Sequence, residues 1–584
     1  MDAALQSLTA QAGRSRAISR ARLQRLAPAL VLLVVLSPIA VGLAGTLLPA
    51  IGYLPAVGGH GIGLAAWREM LAYPGLATAV GLSLFTGLAA TALALGLSVA
   101  LCAMLHGRVR FRRVQAMLAP ILASPHAAVA IGFAFVVAPS GWIARLLSPW
   151  LTGWTVPPDI ATVGDPLGLA LILALLIKEI PFLLLMILAA LDQVPVGAHM
   201  KAARSLGYGR GVAWIKVILP QVYPQIRLPV LAVLVFSLSV VDMALIIGPD
   251  HPPTLAVLAL RWLTAPDVGS YLPGAAASVL LLALTLGAMA AWRLGERLLA
   301  KQGRLWVCRG GRGLTSEPGL VTGSLCAGLV LGLAALALLA TALWSFAETW
   351  RYPAALPDGW TLATWSTQLG AFERPASMTL ALGAVTTTVG LFLVVGWLES
   401  EDSRAVPARG RSLRLIYLPL LVPQIAFLFG IQVFFVRAGL DGGFFAVAWV
   451  HLIFVVPYLF LALADPWRAL DPRYARSAAA LGASRLRILL RIKLPMLLRP
   501  LLTAAAVGFG VSVAQYLPTL FAGGGRIPTL TTEAVALASG GDRRVVGVYA
   551  FAQALLPFLV YLAALTLPAL VFRNRRGLSS GGAG

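Results

Sequence analysis

Charged residues and cysteines are scarce in this sequence of 584 residues. Only 11% of the residues are charged, whereas 59% are hydrophobic and the mean hydropathy is +0.87. A water-soluble domain needs far more polar surface, so the composition excludes an ordinary soluble protein. Cys102, Cys308 and Cys326 form neither a disulfide pattern nor a metal-ligand pattern. Two of them fall in apolar runs, where we expect them to pack as small hydrophobic residues.

Motifs for catalysis are also missing. No G-x-x-x-x-G-K-[ST] motif occurs, and the Gly-rich stretch 523–529 lacks the lysine that would reach a nucleotide phosphate. The six histidines are scattered without an i,i+4 pair, so they do not form a metal-binding motif. No Ser, His and Asp residues are arranged as a nucleophilic triad. We therefore expect a chain that is not an enzyme and that binds no metal or cofactor itself.

Apolar runs long enough to cross a membrane recur along the whole chain. A spanning helix needs about 20 apolar residues, and twelve runs of this kind occur. They are 27–50, 76–105, 114–144, 169–191, 228–248, 272–292, 319–347, 375–398, 415–436, 442–464, 500–525 and 545–572. Lys178 and Glu179 interrupt the fourth run, and Asp242 interrupts the fifth. The pattern predicts an all-α polytopic membrane protein with twelve transmembrane helices.

The basic residues predict the orientation of these helices, because Lys and Arg are concentrated in cytoplasmic loops. If the N-terminus is cytoplasmic, the inside segments hold 35 of the 45 Lys and Arg residues and the outside loops hold nine. Both termini are therefore predicted to be cytoplasmic. The net charge of +23 follows from this orientation, so nucleic-acid binding is not needed to explain it.

One basic, Gly-containing segment occurs twice, at 202–220 and at 477–495, 275 positions apart. The tripeptide Pro-Thr-Leu recurs at 253–255 and 528–530 with the same offset. Six runs precede the middle of the chain and six follow it, which predicts two parallel repeats that face the same way across the membrane. The predicted domains are a basic cytoplasmic tail 1–26, a first domain 27–296, a cytoplasmic linker 297–317, a second domain 318–572 and a cytoplasmic tail 573–584.

Each copy of the repeated segment is predicted to form two short helices at an angle. Gly207 should end the first helix, as a glycine suited to a helix C-cap, and Pro220 should end the second. Gly482 and Pro495 repeat this punctuation. In the first copy we expect Ala203 and Leu206 to share one face, with Lys201, Arg204 and Arg210 displayed elsewhere. Such a knob suits docking into the groove of a partner, although amphipathic helices that bind anionic lipid are an alternative.

The repeated segments resemble a motif of the membrane subunits of binding-protein-dependent ABC importers. That motif is E-A-A-x-x-x-G followed, after nine residues, by I-x-L-P; here it appears as K-A-A-R-S-L-G with V-I-L-P and as R-S-A-A-A-L-G with I-K-L-P. The chain resembles most the fused two-domain permeases of iron(III), thiamine and thiamine-like importers. In its second half the stretch 514–541 is similar to the thiamine-like branch. The resemblance implies the type I importer permease fold, in a bacterial inner membrane.

In this family the motif is the coupling segment that docks on a cytoplasmic ATPase subunit. The resemblance therefore implies two ATPase partners, which bind ATP and Mg, and a periplasmic solute-binding protein. The implied coupling residues are Lys201, Ala202, Ala203, Leu206, Gly207, Arg210 and Pro220 in the first copy, and Arg476, Ala478, Leu481, Gly482, Arg485 and Pro495 in the second. Lys201 and Arg476 stand where the family has Glu, which suggests a more acidic ATPase cleft.

The fifth run offers a candidate for a substrate pathway, because an ionisable residue within a span is a functional candidate. Asp242 aligns with Gln515, which precedes Tyr516, at an offset of 273. Its carboxylate could attract a cationic solute, such as thiamine or a metal species. Alternatively, Asp242 lies near the outer interface or forms a hydrogen bond with a neighbouring helix. Tyr516 could equally be an interfacial aromatic residue. An ion-coupled secondary transporter is an alternative, which would need Asp242, Lys178 and Glu179 as coupling residues.

Overall fold

The fold is helical throughout the residues that the computed structural model describes, which are 27–108, 118, 121–312, 317–404 and 415–571. Within them β pairing is limited to two isolated bridges, Leu54 with Gly59 and Ala347 with Trp360. The predicted tails 1–26 and 573–584 lie outside the described residues. The all-helical, polytopic character expected from the apolar runs is confirmed.

The first half of the chain contains helices α1 to α12. Their bounds are α1 Ala27–Ala50, α2 Ala65–Ala72, α3 Leu76–Leu105, α4 His126–Val137, α5 Trp142–Leu147, α6 Leu169–Leu191, α7 Val196–Ser205, α8 Arg210–Ala213, α9 Leu219–Ser239, α10 Asp242–Ile247, α11 Leu255–Leu263 and α12 Tyr271–Cys308. A π-helical turn, Trp214–Ile218, joins α8 to α9. Short 3₁₀ turns lie at Pro55–Val57 and Val268–Ser270.

The second half contains helices α13 to α23. Their bounds are α13 Glu317–Phe346, α14 Ala363–Arg404, α15 Ile425–Ala438, α16 Phe444–Arg468, α17 Pro472–Ala480, α18 Arg485–Ile488, α19 Leu494–Met496, α20 Leu498–Val513, α21 Leu517–Gly523, α22 Leu530–Ala538 and α23 Arg543–Val571. A second π-helical turn, Leu489–Lys493, joins α18 to α19. A 3₁₀ turn, Leu418–Leu420, precedes α15.

The described part of the structure shows fewer membrane-spanning helices than the twelve apolar runs predict. Among the described residues, ten helices are long and apolar enough to cross a membrane, or eleven if the bent pair Arg485–Met496 and Leu498–Val513 is one span. The run 415–436 forms α15, which has only 14 residues and is shorter than the roughly 20 that a straight span needs. Twelve spans therefore remain a prediction.

Two apolar runs that correspond in the two halves are each divided between two helices. The run 228–248 holds α9 and α10, separated at Val240, whose ψ of 136° is extended. The run 500–525 holds α20 and α21, separated by residues 514–516. The sequence remains apolar across both breaks. Hydropathy indicates whether a segment prefers lipid or water, but it does not indicate where a helix ends. Asp242 is the first residue of α10, so its carboxylate lies in the first turn of that short helix.

The predicted linker 297–317 begins inside a helix. Helix α12 continues to Cys308, because residues 297–308 are mostly good helix formers and the first left-handed glycine comes at Gly310, with φ +67°. Residues 313–316 lie outside the described part, and Glu317 already belongs to α13. Among the cysteines, Cys102 is buried as expected, whereas Cys326 is exposed on α13 and does not pack inside the protein.

The two halves are joined by an exchange of their first helices. Helix α1 of the first half packs on α15 of the second, where Thr46 Oγ1 accepts a hydrogen bond from Gly430 N at 3.0 Å. Helix α13 of the second half packs on α3 and α4 of the first, and Gly132 lies directly against the backbone of Ala337. Both crossings use a glycine, which allows two membrane helices to approach closely.

Candidate functional site

The first repeated segment ends its short helix with a left-handed glycine. Gly207 has φ +83° and donates to Arg204 O at 3.0 Å, while Tyr208 N donates to Ala203 O at 3.3 Å. This pair of hydrogen bonds is a Schellman motif, which satisfies two of the free carbonyls at the end of α7. The predicted role of Gly207 as a helix terminator is confirmed, and the chain then turns into α8.

The second segment repeats this geometry bond for bond. Gly482 has φ +82° and donates to Ala479 O at 3.0 Å, and Ala483 N donates to Ala478 O at 3.0 Å. Helices α8 and α18 start 275 positions apart, as do the π-helical turns that follow them. The equivalence of the two segments therefore extends from sequence to backbone conformation.

The prediction that Pro220 and Pro495 end the second short helix is wrong. Each proline follows a π-helical turn and lies near the start of the next helix. Leu219 N bonds to Trp214 O, and Leu494 N bonds to Leu489 O, five residues back. The wider turn accommodates a residue that has no N–H to donate, so the helix continues through the proline.

Beyond the π-helical turn the two copies differ. The segment Arg210–Ser239 forms one continuous span, whereas its counterpart bends by 79° between Met496 and Leu498. Pro500 follows the bend by two residues, but Pro224 and Pro229 lie inside the continuous helix of the first copy, so a proline alone does not explain the difference.

The faces of the first short helix differ from the expected arrangement. Ala203 is 6% exposed, but Leu206 is 64% exposed, so the two do not share a buried face. Leu206 follows the last turn of α7 and projects outward at the glycine bend. Leu481 occupies the same position in the second copy and is 88% exposed. The two bends therefore present an exposed leucine at the same position of the repeat.

The other predicted coupling residues differ in whether they are exposed or form contacts within the chain. Lys201, Ala202 and Arg476 are exposed, and Ala478 is half-buried. Arg210 is not displayed as expected, because its guanidinium donates to His106 O. Burial and, secondarily, the charge of Arg210 hold the pKa of His106 below its usual value, against an opposing contribution from Asp192. Arg485 is exposed and interacts electrostatically with Glu399.

The ionisable residues of the membrane region fall into a cluster around the break between α9 and α10. Lys178 Nζ donates to Ile121 O at 2.7 Å and to Ser124 O at 2.6 Å, which fixes the turn before α4. Asp242 interacts electrostatically with Lys178 and with Tyr516 of the second half. The structure therefore brings Asp242 and Tyr516 together.

The start points of the short helices correct the alignment of Asp242 with Gln515. Helix α10 begins at Asp242 and α21 at Leu517, which are 275 positions apart. Asp242 thus corresponds to Leu517, and Gln515 corresponds to Val240 in the break. Gln515 is 8% exposed. The carboxylate is a feature of the first half alone.

The sequence analysis did not predict two buried contacts that each involve a serine hydroxyl. Ser237 donates to Glu179 Oε1, and Ser512 Oγ lies 2.9 Å from His451 Nδ1. Both serines are buried, and they also lie 275 positions apart. That spacing was the available signal, because it is the offset of the repeated segments. No group of three or more potential metal ligands occurs among the described residues.

Comparison with known proteins places this architecture among transport proteins. The model of the family "Binding-protein-dependent transport system inner membrane component" matches residues 403–577, which include the second repeated segment. The inner membrane ABC transporter permease protein YnjC of Escherichia coli (strain K12) is 34% identical over 519 residues, covering 88% of this chain and 93% of that protein. The likeness to YnjC therefore includes both repeated segments.

More distant similarity extends to two other permeases. The spermidine/putrescine transport system permease protein PotC of Haemophilus influenzae is 25% identical over 200 residues, covering 34% of this chain and 75% of that protein. PotC of Escherichia coli (strain K12) is 24% identical over 110 residues, covering 19% of this chain and 42% of that protein. These matches cover only part of the chain.

Proposed function

Because the chain belongs to the family of inner-membrane permeases of binding-protein-dependent ABC importers, we propose that it supplies both transmembrane halves of one importer. The chain is a multi-pass, non-catalytic subunit of such a system. Membership in this family removes the ion-coupled secondary transporter as an alternative. We also propose that it belongs to the branch of fused two-domain permeases that serves iron(III) and thiamine-like importers, as the resemblance of its sequence implies.

The reciprocal packing of the two halves supports the fused arrangement. Helix α1 crosses onto α15, and α13 crosses onto α3 and α4. If α15 and the bent pair around Leu497 each cross the membrane, the halves contain six spans each, and the parallel repeat has twelve. Both termini then lie in the cytoplasm, as the distribution of basic residues predicts. The proposed domains remain 27–296 and 318–572, joined by the linker 297–317.

The repeated segments are proposed to dock two cytoplasmic ATPase subunits. The observation that carries this proposal is the pair of Schellman turns at Gly207 and Gly482, each followed by a π-helical turn and each presenting an exposed leucine. The ATPase subunits bind ATP and Mg, and this chain binds no cofactor. The exposed Lys201 and Arg476 favour an acidic rim around each ATPase groove.

A small cationic solute, of the thiamine type, is the proposed cargo. Asp242 supplies a carboxylate within the membrane region of the first half, close to Tyr516 of the second. The names of the PotC relatives refer to spermidine and putrescine, which are also organic cations. A periplasmic binding protein would deliver the solute, and the pathway would run between the halves.

Reconstitution in proteoliposomes tests the proposal. The purified chain alone should show no ATP hydrolysis, whereas the chain with its ATPase and binding protein should take up cationic solute only when ATP is present. Native mass spectrometry should find two ATPase subunits for each chain. Hydrolysis by the chain alone contradicts the non-catalytic role, and a stoichiometry of one contradicts two docking segments. Uptake of neutral but not cationic solutes contradicts the proposed cargo.

A further inference from the structure

The end of α12 and the residues after it fold over the first repeated segment. Lys216 Nζ lies 4.3 Å from the ring centroid of Trp306 and 5.2 Å from that of Tyr208. The same ammonium donates to Gly311 O at 2.7 Å. Lys216 is 8% exposed, so this cation is enclosed by two aromatic rings and a carbonyl. We call residues 306–312 the clasp.

The clasp also contacts the glycine bend itself. Gly209 N donates to Arg312 O at 3.4 Å. The Arg312 side chain lies against Gly207, with Nε 3.3 Å from the position that a Cβ on that glycine would occupy. Glu317, at the start of α13, accepts a hydrogen bond from Gly211 N at 2.8 Å. The segment is therefore bound to both ends of the connection between the two halves.

The described residues do not cover the second repeated segment in this way. Among the described residues no atom lies within 4 Å of the Cβ position of Gly482. Arg491 replaces Lys216 at the equivalent position and is exposed. Leu481 is also more exposed than Leu206, at 88% against 64%. Two backbones of the same shape thus present different surfaces.

Positive charge dominates the surface around the first bend. Arg204 and Arg312 are exposed, and Arg108, Arg204 and Glu317 all interact electrostatically with Arg210. Glu317 is the single carboxylate in that set. A surface of this kind favours an acidic partner and disfavours a basic one.

We propose that the clasp forms part of the first ATPase-docking surface, so that two ATPase subunits meet two inequivalent surfaces on one chain. This inference rests on the proposed ATPase docking and adds the clasp as a contact. An ATPase groove that accepts Leu206 must also accept Arg312 beside it. Movement of the first segment is transmitted through Glu317 to α13, which packs on α3 and α4. Closure of the ATPase subunits at the first docking surface therefore acts on both halves of the chain.

Cysteine protection tests this proposal, and the chain carries a reporter in the clasp, because Cys308 is exposed. Cys102→Ala and Cys326→Ala give a background in which only Cys308 reacts with a maleimide reagent. Adding Cys308→Ser and then either Leu206→Cys or Leu481→Cys gives reporters for the two bends. The probe is the ABC ATPase that co-purifies with the wild-type chain, recognised by its P-loop sequence.

Protection of all three thiols is the expected result. At an ATPase concentration ten times its Kd, a covered thiol should react about tenfold more slowly. Protection at Leu206→Cys and Leu481→Cys without protection of Cys308 overturns the inference and leaves the proposed function intact. Protection at none of the three contradicts the proposed function itself. Protection of Cys308 by anionic nanodiscs without ATPase assigns the clasp to lipid headgroups and also overturns the inference.

A matched pair of substitutions separates the two surfaces. Lys216→Met removes the cation that holds the clasp, and Arg491→Met removes the equivalent cation from the second segment. Lys216→Met should abolish the protection of Cys308 and weaken the protection at Leu206→Cys, with Leu481→Cys unchanged. Arg491→Met should leave the protection of Cys308 intact. Equal effects of both substitutions on Cys308 contradict a specific role for the clasp.

Discussion

Gly430 of α15 lies directly against the carbonyl oxygen of Gly42 in α1, where a side chain on either residue would meet the other helix. The hydroxyl of Thr46 accepts a hydrogen bond from the backbone of Gly430 at the same crossing. Without a hydrophobic driving force between helices in lipid, such close backbone packing is what stabilises the contact. Gly132 and Ala337 form the reciprocal crossing. These two crossings join the halves independently of the connecting segment.

Gly430→Ala should therefore destabilise the chain. The added methyl group overlaps the backbone of α1, and overpacking of this kind costs about 1–3 kcal/mol. The thermal unfolding midpoint in detergent should fall. Gly332→Ala is the matched control, because among the described residues no atom lies within 4 Å of its Cβ position. Equal midpoints for the two variants would show that the crossing does not depend on close packing.

The turns at Gly207 and Gly482 were predictable because they depend on local chemistry. A glycine after a short helix favours the left-handed conformation, whatever surrounds it. The offset of 275 positions then predicted the same turn in the second copy. Most apolar runs also predicted helices correctly, because an apolar segment of that length is stable in lipid only with its backbone bonds satisfied internally. The run 114–144 lies partly outside the described residues.

Other features depended on contacts between distant residues and could not be predicted. The exposure of Leu206 follows from where α7 packs, and the use of Arg210 inside the chain follows from the position of His106. The breaks before Asp242 and after Val513 leave no trace in hydropathy. The clasp on Lys216 joins residues 90 positions apart along the chain, so no local pattern records it.

Gly207→Val and Gly482→Val should each release an ATPase subunit. Both glycines have φ above +80°, and forcing a β-branched residue into that region costs on the order of 1–3 kcal/mol. The bend should open and Leu206 or Leu481 should leave its position. Native mass spectrometry should show one ATPase for each single variant and none for the double variant.

The control for these variants is Gly295→Val. Gly295 lies in α12 without a positive φ, and no described atom lies within 4 Å of its Cβ position. It should retain two ATPase subunits. Circular dichroism should show unchanged helix content in every variant. Retention of both subunits by the double variant contradicts the assignment of the two segments as docking sites.

Two hydroxyl groups should stabilise corresponding helix starts. Ser83 Oγ accepts a hydrogen bond from Leu255 N at 2.8 Å, and Thr379 Oγ1 accepts one from Leu530 N at 2.9 Å. Both hydroxyls are buried, so their removal leaves a backbone N–H unpaired, at a cost of about 1–3 kcal/mol. Ser83→Ala and Thr379→Ala should lower the unfolding midpoint by similar amounts. Thr379→Ser, which retains the hydroxyl, should restore most of the loss, and equal losses for Ala and Ser at this position contradict the hydrogen-bond explanation.

Asp242→Asn tests whether the carboxylate serves transport or only structure. Asn retains the size of the side chain and a carbonyl oxygen that can accept a hydrogen bond, so a structural role should largely survive. Loss of the negative charge should weaken uptake of a cationic solute, with KM raised about tenfold, or roughly 1.4 kcal/mol. Uptake is measured in proteoliposomes with saturating binding protein, beside the matched control Asp165→Asn, whose carboxylate accepts from Leu169 N and Ala170 N outside the cluster. A KM for Asp242→Asn that stays at the wild-type value, as is expected for the control, would falsify the pathway role.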